Sequence, residues 1–183
     1  MDEERIWAPW RIGYIVGEKL AATQIPPTRW LPDADQGCFL CRCAASYAEP
    51  HAANRQNLVL ASDEQVIGVL NRYPYNNGHL LVAPLRHVSQ LGELTDAEHL
   101  AAMHMLSRFT AEMSAKIGAE GFNVGLNLGK IAGAGVPGHL HWHLVPRWSG
   151  DTNFMASVGG IRVIPQSLEA LWEALAESQE GRP

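Results

Sequence analysis

The sequence predicts an α+β domain built around an antiparallel sheet. Five short runs have the apolar or alternating composition of β-strands, and turn-forming residues connect most of them. One long stretch with helical periodicity lies between the third and the fourth run. Because strands joined by short connections usually pair as hairpins, the five runs are expected to form one antiparallel sheet.

Length, charge and cysteine content limit the classes of protein that the chain can represent. Its 183 residues and 46% hydrophobic content suit one globular domain. The formal net charge of -5 argues against a basic surface for nucleic acid. No run has the length of a membrane span, and no signal peptide opens the chain. The number of cysteines is odd, three, which argues against a disulfide framework and favours a reducing, cytoplasmic location. Neither a membrane nor a nucleic acid is expected as a partner.

The N-terminal region is predicted to be an arm. Residues 1–37 carry three of the six tryptophans and a loop rich in proline, whereas residues 38–183 are expected to form a single domain. Large aromatic residues near a terminus indicate that the terminus is packed against something. Trp7 and Trp10 are therefore expected to contact either the chain's own core or a second subunit.

The first three strands are predicted at residues 58–61, 66–70 and 79–83, and Pro84 ends the third. The connection at residues 71–78 is rich in turn formers and polar groups. Asn71 in this connection could hydrogen-bond a ribose, and Tyr73 or Tyr75 could cover a base. An ordinary turn with satisfied amides is an equally good interpretation of the same residues.

The long helix is predicted to begin with a capping box, in which Thr95 and Glu98 satisfy each other's backbone N–H groups. Its end is predicted near Ile117, with Gly118 as the terminator. The stripe expected to pack on the sheet is Leu100, Met103, Leu106, Phe109 (or Thr110), Met113 and Ile117. The last two strands are predicted at residues 122–128 and 139–145, and a short helix is predicted at residues 167–177.

The most informative stretch is the last predicted strand, in which His139, His141 and His143 alternate with large apolar residues. Side chains alternate between the two faces of a strand, so the three imidazoles should share one face. Leu140 and Trp142 should then point into the core. A surface strand with chance histidines is the plain alternative, but a glycine-rich loop directly before the strand argues against it.

That loop, residues 133–138, can be interpreted in three ways. It matches the G-x-G-x-x-G dinucleotide fingerprint, but a histidine strand follows where a helix is required. It also resembles the start of a cupin metal motif, but this chain lacks the glutamate that follows the histidines in that motif. The third interpretation is a nest of backbone N–H groups that holds an anion over the imidazoles.

The alternation of histidine and apolar residues from His139 to Val145 resembles the signature of the histidine triad family of nucleotide hydrolases and transferases. The resemblance extends over residues 7–148 and is strongest to bacterial proteins resembling diadenosine tetraphosphate phosphorylases. It implies a five-stranded antiparallel sheet with one long helix and one short C-terminal helix, in a homodimer with one continuous sheet. It also implies cleavage of adenine dinucleoside polyphosphates through a nucleotidyl-histidine intermediate, with phosphate or water as acceptor.

The resemblance also assigns roles to individual residues. His141 corresponds to the nucleophile, His143 to the histidine that contacts the phosphate, and His79 to a supporting histidine on a neighbouring strand. The positions predicted to bind nucleotide are Asn71, Asn127, Gly133, Ala134, Gly135, His143 and Trp148. Many family members carry a glutamine and a serine or threonine in the loop, where this chain has Gly135 and Val136. The loss of a side-chain donor there favours phosphate over water as the acceptor.

Cys38 and Cys41 have the spacing of two zinc ligands, but a zinc ion needs four, and chance or redox chemistry competes with this interpretation. Zinc-bearing histidine triad proteins use a Cys-x-x-Cys pair, a histidine after the third strand and the first motif histidine. The resemblance therefore implies one structural zinc ion on Cys38, Cys41, His87 and His139.

Three alternative functions remain compatible with the sequence. A metal oxygenase could use His139 and His141 together with Asp151, the one carboxylate close to the motif. A nucleoside phosphoramidate or adenylyl-ester hydrolase could use the same fold. A nucleotide-binding protein without catalytic activity could use it as well.

Overall fold

The computed structural model describes residues 27–46, 51–151 and 164–176. Its helices are α1 (Phe39–Ser46), α2 (His51–Asn57), α3 (Asp96–Ile117) and α4 (Leu168–Ala176). Its strands are β1 (Val59–Ser62), β2 (Val66–Leu70), β3 (Leu80–Pro84), β4 (Gly121–Leu126) and β5 (Trp142–Arg147). Trp7 and Trp10 of the predicted arm lie outside the described residues. No described helix is both long enough and apolar enough to cross a bilayer.

The five strands form one sheet in the order β1-β2-β3-β5-β4, and every neighbouring pair is antiparallel. This confirms the predicted fold class. β5 lies between β3 and β4, so the histidine motif leads into an interior strand. His143 pairs with Leu81 on one side and with Gly125 on the other.

The hydrophobic core lies between the sheet and the helices. All residues of β2 and β3 are buried, whereas β5 alternates, with Trp142 and Leu144 buried. Helix α3 crosses β2, and a Cβ atom on Gly68 would lie 2.8 Å from the Phe109 ring. A larger residue at this position would therefore displace the Phe109 ring from its place in the close-packed core.

Helix α3 begins and ends as predicted. Thr95 and Glu98 form both hydrogen bonds of the capping box, and Gly118 ends the helix in the left-handed conformation at φ 63°. Glu98 is buried because Arg86 contacts both of its carboxylate oxygens, at 2.8 and 2.7 Å.

The predicted apolar stripe of α3 is wrong in its first half. Leu100 is 57% exposed and Met103 is 47% exposed, whereas Ala102 and Met105 are buried. The buried Glu98 defines the inward face of the first turn, and residues 102 and 105 continue that face at helical spacing. The second half of the stripe, Leu106, Phe109 and Met113, is buried as predicted.

Strand boundaries near the histidine motif also differ from the prediction. β5 begins at Trp142 rather than at His139, and β4 ends at Leu126, which is the partner of Trp142. Before Trp142 the chain leaves the sheet ladder, because the Leu140 N–H donates to the Val88 carbonyl in the loop after β3. Helices α1 and α2 were not predicted.

Candidate active site and metal centre

The imidazoles of His141 and His143 meet where the chain enters β5. Their ring centroids are 5.0 Å apart, with the planes inclined at 67°. His141 is buried and His143 is half-buried. Since β5 is an interior strand, the neighbouring strands hold the backbone of His143 on both sides. His143 therefore presents its ring from an interior strand of the sheet, whereas His141 lies one residue before that strand begins.

The hydrogen bonds of His141 determine which nitrogen can react. Nδ1 of His141 lies 2.9 Å from the backbone oxygen of His139. A carbonyl oxygen only accepts, so Nδ1 carries the hydrogen and Nε2 keeps its lone pair. Burial lowers the pKa of His141, which keeps the ring neutral and nucleophilic.

His143 has the opposite tautomer because of a chain of hydrogen bonds through His79. The backbone N–H of Tyr75 donates to Nδ1 of His79 over 3.0 Å, so the hydrogen of the neutral His79 ring is on Nε2. That hydrogen points to Nδ1 of His143, 2.9 Å away. The hydrogen of His143 must then be on Nε2. The site thus offers one imidazole lone pair, on His141, beside one imidazole N–H, on His143.

Burial keeps these rings uncharged. It lowers the pKa of His79 to about 3, with further lowering by His143 and His141. It also lowers the pKa of His143 to about 4, and the neighbouring His141 lowers it further. Near neutral pH the described hydrogen-bond chain therefore consists of neutral imidazoles.

Two predicted nucleotide-binding asparagines lie beside this chain. The Asn71 amide nitrogen is 3.2 Å from Nδ1 of His79, and the Asn71 side-chain oxygen accepts the Tyr73 N–H. The Asn127 amide nitrogen donates to the Gly133 carbonyl over 3.5 Å and lies 3.4 Å from Nε2 of His143. Both nitrogens carry hydrogen in the tautomer assigned above, so this approach joins two donors and is not a hydrogen bond. Asn127 therefore places a second N–H donor beside that of His143.

The glycine loop is only partly the nest that the sequence suggested. Gly133 has φ 89°, but the N–H groups of Gly133 and Ala134 donate within the turn, to Lys130 and Gly129. The N–H of Gly135 has no hydrogen-bond partner among the described residues and is available to an anion. The structure therefore favours the second half of the loop as the donor segment.

Trp148 is not brought to the imidazoles. It follows the last residue of β5, so it lies about 16 Å along the strand from His143. Its indole N–H donates to the Ile117 carbonyl, and its ring lines a cavity of about 420 Å³ with Asn77 and Lys116.

Asp151 is not placed for a metal oxygenase site. Its carboxylate pairs with Arg147 and also accepts from Asn76, whereas His139 faces two cysteines. The two histidines and the carboxylate of that alternative are therefore not assembled.

Tyr75 contributes more to the site than its sequence position indicated. Its ring lies over the His79 and His143 rings, with centroid distances of 4.6 and 5.6 Å. Its backbone N–H sets the tautomer of His79. A backbone donor has no sequence signature, so only the three-dimensional structure reveals this role.

The structure brings together all four residues of the predicted metal site. The side chains come from the N-terminus of α1, the loop after β3 and the end of the glycine loop, and their ligand atoms lie within 4.8 Å of one another. The site consists of Cys38, Cys41, His87 and His139.

Their geometry and chemistry fit a zinc ion. Nδ1 of His87 is 3.2 Å from Sγ of Cys41, and Nδ1 of His139 is 3.4 Å from Sγ of Cys38. Tetrahedral zinc with ordinary bond lengths separates sulfur and nitrogen ligands by about 3.6 Å. Burial and the neighbouring Cys38 raise the pKa of the Cys41 thiol to about 12. Two adjacent buried thiols need a cation to become thiolates together.

Comparison with known proteins agrees with this geometry. The HIT domain model matches residues 52–150. The AP-4-A phosphorylase of Mycobacterium tuberculosis is 38% identical over 181 residues, which span 98% of this chain and 86% of that protein. The adenosine 5'-monophosphoramidase hnt1 of Schizosaccharomyces pombe is 27% identical over 117 residues, spanning 64% of this chain and 84% of that protein.

A solved structure shares the fold as well. The Zn-bound histidine triad family protein from Mycobacterium smegmatis superposes with a TM-score of 0.54 at 28% identity, covering 68% of this chain and 88% of that one. The fold, the paired imidazoles and these matches define a histidine triad protein. The chain belongs to the HIT family and is an enzyme of that family.

Proposed function

We propose that this protein cleaves adenine dinucleoside polyphosphates by transferring a nucleotidyl group to His141, and then to inorganic phosphate in preference to water. The observation that carries this proposal is the pairing of opposite tautomers, a lone pair on His141 Nε2 beside an N–H on His143 Nε2. The similarity to the AP-4-A phosphorylase supports the choice of substrate.

In the first step, His141 Nε2 attacks the α-phosphorus of the bound dinucleotide. The N–P bond forms as the bond between this phosphorus and its bridging oxygen breaks, and the leaving nucleoside polyphosphate takes the electron pair. His143 Nε2–H donates a hydrogen bond to the phosphate oxygens, where negative charge accumulates. The positive charge of the substituted His141 ring is stabilised by its Nδ1–H bond to the His139 carbonyl.

In the second step, a phosphate oxygen attacks the same phosphorus and releases His141 with its lone pair. The products are ADP and the nucleoside polyphosphate that left first. With water as the acceptor, AMP replaces ADP. Two displacements at one phosphorus retain its configuration.

Binding is assigned to groups around the imidazoles. Asn71 holds the ribose, and Asn127 with the N–H groups at Gly135 and Val136 holds the phosphates. This loop offers no side-chain hydrogen-bond donor at residues 133–138. An acceptor that carries its own negative oxygens, such as phosphate, needs less deprotonation than water does.

A structural zinc ion on Cys38, Cys41, His87 and His139 is part of the proposal. With four protein ligands the ion has no open position for substrate, so its contribution is to hold α1 against the glycine loop. The donor atoms, their spacing and the Zn-bound relative support this assignment.

We further infer that the protein is a homodimer. β4 is an edge strand, and Val124 in its middle is 52% exposed. Leu100 and Met103 on α3 are similarly exposed apolar residues. A second copy paired along β4 would extend the sheet across the dimer and satisfy its open edge.

The proposed function is tested by product analysis. The zinc-loaded protein is incubated with diadenosine tetraphosphate, with and without inorganic phosphate, and with adenosine 5'-phosphoramidate as a separate substrate. ADP and ATP in the presence of phosphate are the expected products. Release of AMP at a rate independent of phosphate would contradict the phosphorylase assignment, and turnover of the phosphoramidate alone would favour the alternative hydrolase.

A further inference from the structure

One peptide group joins the metal centre to the nucleophile. The carbonyl of His139 accepts the Nδ1 hydrogen of His141 over 2.9 Å. The N–H of the same peptide group belongs to Leu140 and donates to the Val88 carbonyl over 2.7 Å. Because a peptide group is planar, holding its N–H also fixes the direction of its carbonyl.

This peptide group is connected at both ends to residues of the metal centre. Val88 follows His87, whose Nδ1 lies 3.2 Å from Cys41 Sγ. The carbonyl itself belongs to His139, whose Nδ1 lies 3.4 Å from Cys38 Sγ. A metal bound to these four side chains would cross-link residues 87–88 to residues 139–140.

The His139 side chain is also fixed on its other edge. It is fully buried, at 0% exposure, and its Nε2 donates to the Pro84 carbonyl over 2.9 Å. The hydrogen is therefore on Nε2, and the lone pair of Nδ1 faces the two thiols. The ring is thus oriented as a metal ligand, while its own backbone carbonyl orients the next motif histidine.

We propose that His139 is a positioning residue and that metal bound at this centre fixes the tautomer and orientation of His141 through the peptide group between residues 139 and 140. The inference rests on the proposed role of His141 as nucleophile. The metal then governs the rate of nucleotidyl transfer, whereas nucleotide affinity depends on Asn71 and Asn127 and stays unchanged.

The test compares His141 in metal-loaded and metal-free protein. ¹⁵N-histidine-labelled wild type is studied by long-range ¹H–¹⁵N NMR with one equivalent of zinc and after removal of zinc by a chelator. Cys38→Ser removes one ligand. Cys43→Ser is the matched control, because Cys43 lies on α1 but contacts the Asn57 carbonyl instead of the metal centre.

With zinc, wild type and the Cys43→Ser variant are expected to show one His141 tautomer, with hydrogen on Nδ1. The zinc-free protein and the Cys38→Ser variant are expected to show a mixture. Their single-turnover rate with diadenosine tetraphosphate should fall about 10–100-fold, as for other residues that orient a site from outside it. The dissociation constant for AMP should not change.

A second variant keeps all four metal ligands and tests the inference if the Cys38→Ser variant does not fold. A methyl group at Gly138 would lie 3.3 Å from His87 Nε2, so Gly138→Ala should push the His87 ring and weaken zinc binding. Gly92→Ala is its control, because nothing lies within 4 Å of the added methyl group. The Gly138→Ala variant should show the His141 tautomer mixture at zinc concentrations that still saturate the control.

Three results would overturn the inference. These are an unchanged His141 spectrum and turnover rate in folded zinc-free protein, failure of the protein to bind zinc, and a single His141 tautomer in Gly138→Ala at limiting zinc. Failure of the proposed function has a different signature. A zinc-dependent His141 tautomer without any nucleotidyl adduct would refute the nucleophile but support the link between metal and His141.

Discussion

The Nε2–H of His79 donates a hydrogen bond to Nδ1 of His143 across 2.9 Å. The Tyr75 N–H occupies the other nitrogen of His79 and so sets the direction of this hydrogen bond. A residue outside the histidine motif thereby decides which nitrogen of His143 carries the hydrogen. The first prediction depends on this relationship.

Replacing His79 with alanine should slow catalysis more than it weakens substrate binding. Without the His79 hydrogen, Nδ1 of His143 can itself take the proton, and its Nε2 then offers a lone pair to the phosphate. We expect kcat to fall about 10–100-fold with a smaller change in KM. Steady-state kinetics with diadenosine tetraphosphate measures this, with His104→Ala on the exposed face of α3 as control. An unchanged kcat would remove His79 from the site.

The same burial makes folding sensitive to acid. The pKa of His79 is about 3 in the folded protein and 6.5 in an unfolded chain. Between these values the unfolded chain binds a proton that the folded chain excludes. Stability should therefore fall as the pH is lowered from 6.5 to 3, with a limiting slope of about 1.4 kcal/mol per pH unit for this group. Urea unfolding across this range should show a shallower slope for His79→Gln, and equal slopes would contradict the buried neutral ring.

The ion pair between Arg86 and the buried Glu98 should contribute more to the free energy of unfolding than a surface ion pair does. Glu98→Gln removes a carboxylate that accepts from Arg86 and from the Thr95 backbone. The expected loss is about 1–3 kcal/mol in the free energy of unfolding.

The matched control for Glu98→Gln is Glu173→Gln. It breaks an ion pair with Arg55 in which both side chains are about half exposed, at 49% and 54%. Its expected loss is below about 1 kcal/mol. A loss for Glu98→Gln as small as that expected for Glu173→Gln, measured by chemical denaturation, would show that the cap of α3 is not important for stability.

The proposed dimer predicts a concentration-independent mass of two chains at micromolar protein. Val124→Glu should favour the monomer, because it puts a charge on the exposed middle of the β4 edge. Sedimentation equilibrium separates these outcomes. A wild-type monomer at micromolar concentration would contradict the continuous sheet.

Much of this fold follows from local pattern in the sequence. The five strands, the capping box of α3 and the glycine that ends it depend on residue type at fixed spacing, which sequence displays directly. The metal cluster was also predicted, but only because family resemblance joined Cys38 and Cys41 to two distant histidines. The Cys-x-x-Cys spacing alone predicted only two of the four ligands.

The remaining features depend on contacts between distant segments. Leu100 and Met103 were predicted to be buried, because nothing in the local pattern showed that Arg86 would draw Glu98 into the protein. The tautomers of His141 and His143 depend on backbone groups of His139 and Tyr75. Every residue except proline carries the same backbone donor and acceptor, so such roles cannot be predicted from residue type.

The central claim is that His141 becomes covalently nucleotidylated, and trapping that intermediate tests it most directly. Zinc-loaded protein is mixed with diadenosine tetraphosphate without phosphate, quenched in alkali, digested and analysed by mass spectrometry. We predict an AMP adduct on the peptide containing His141, its absence in His141→Ala, and its conversion to ADP when phosphate is added before the quench. Near-normal turnover by His141→Ala without any adduct would contradict this mechanism.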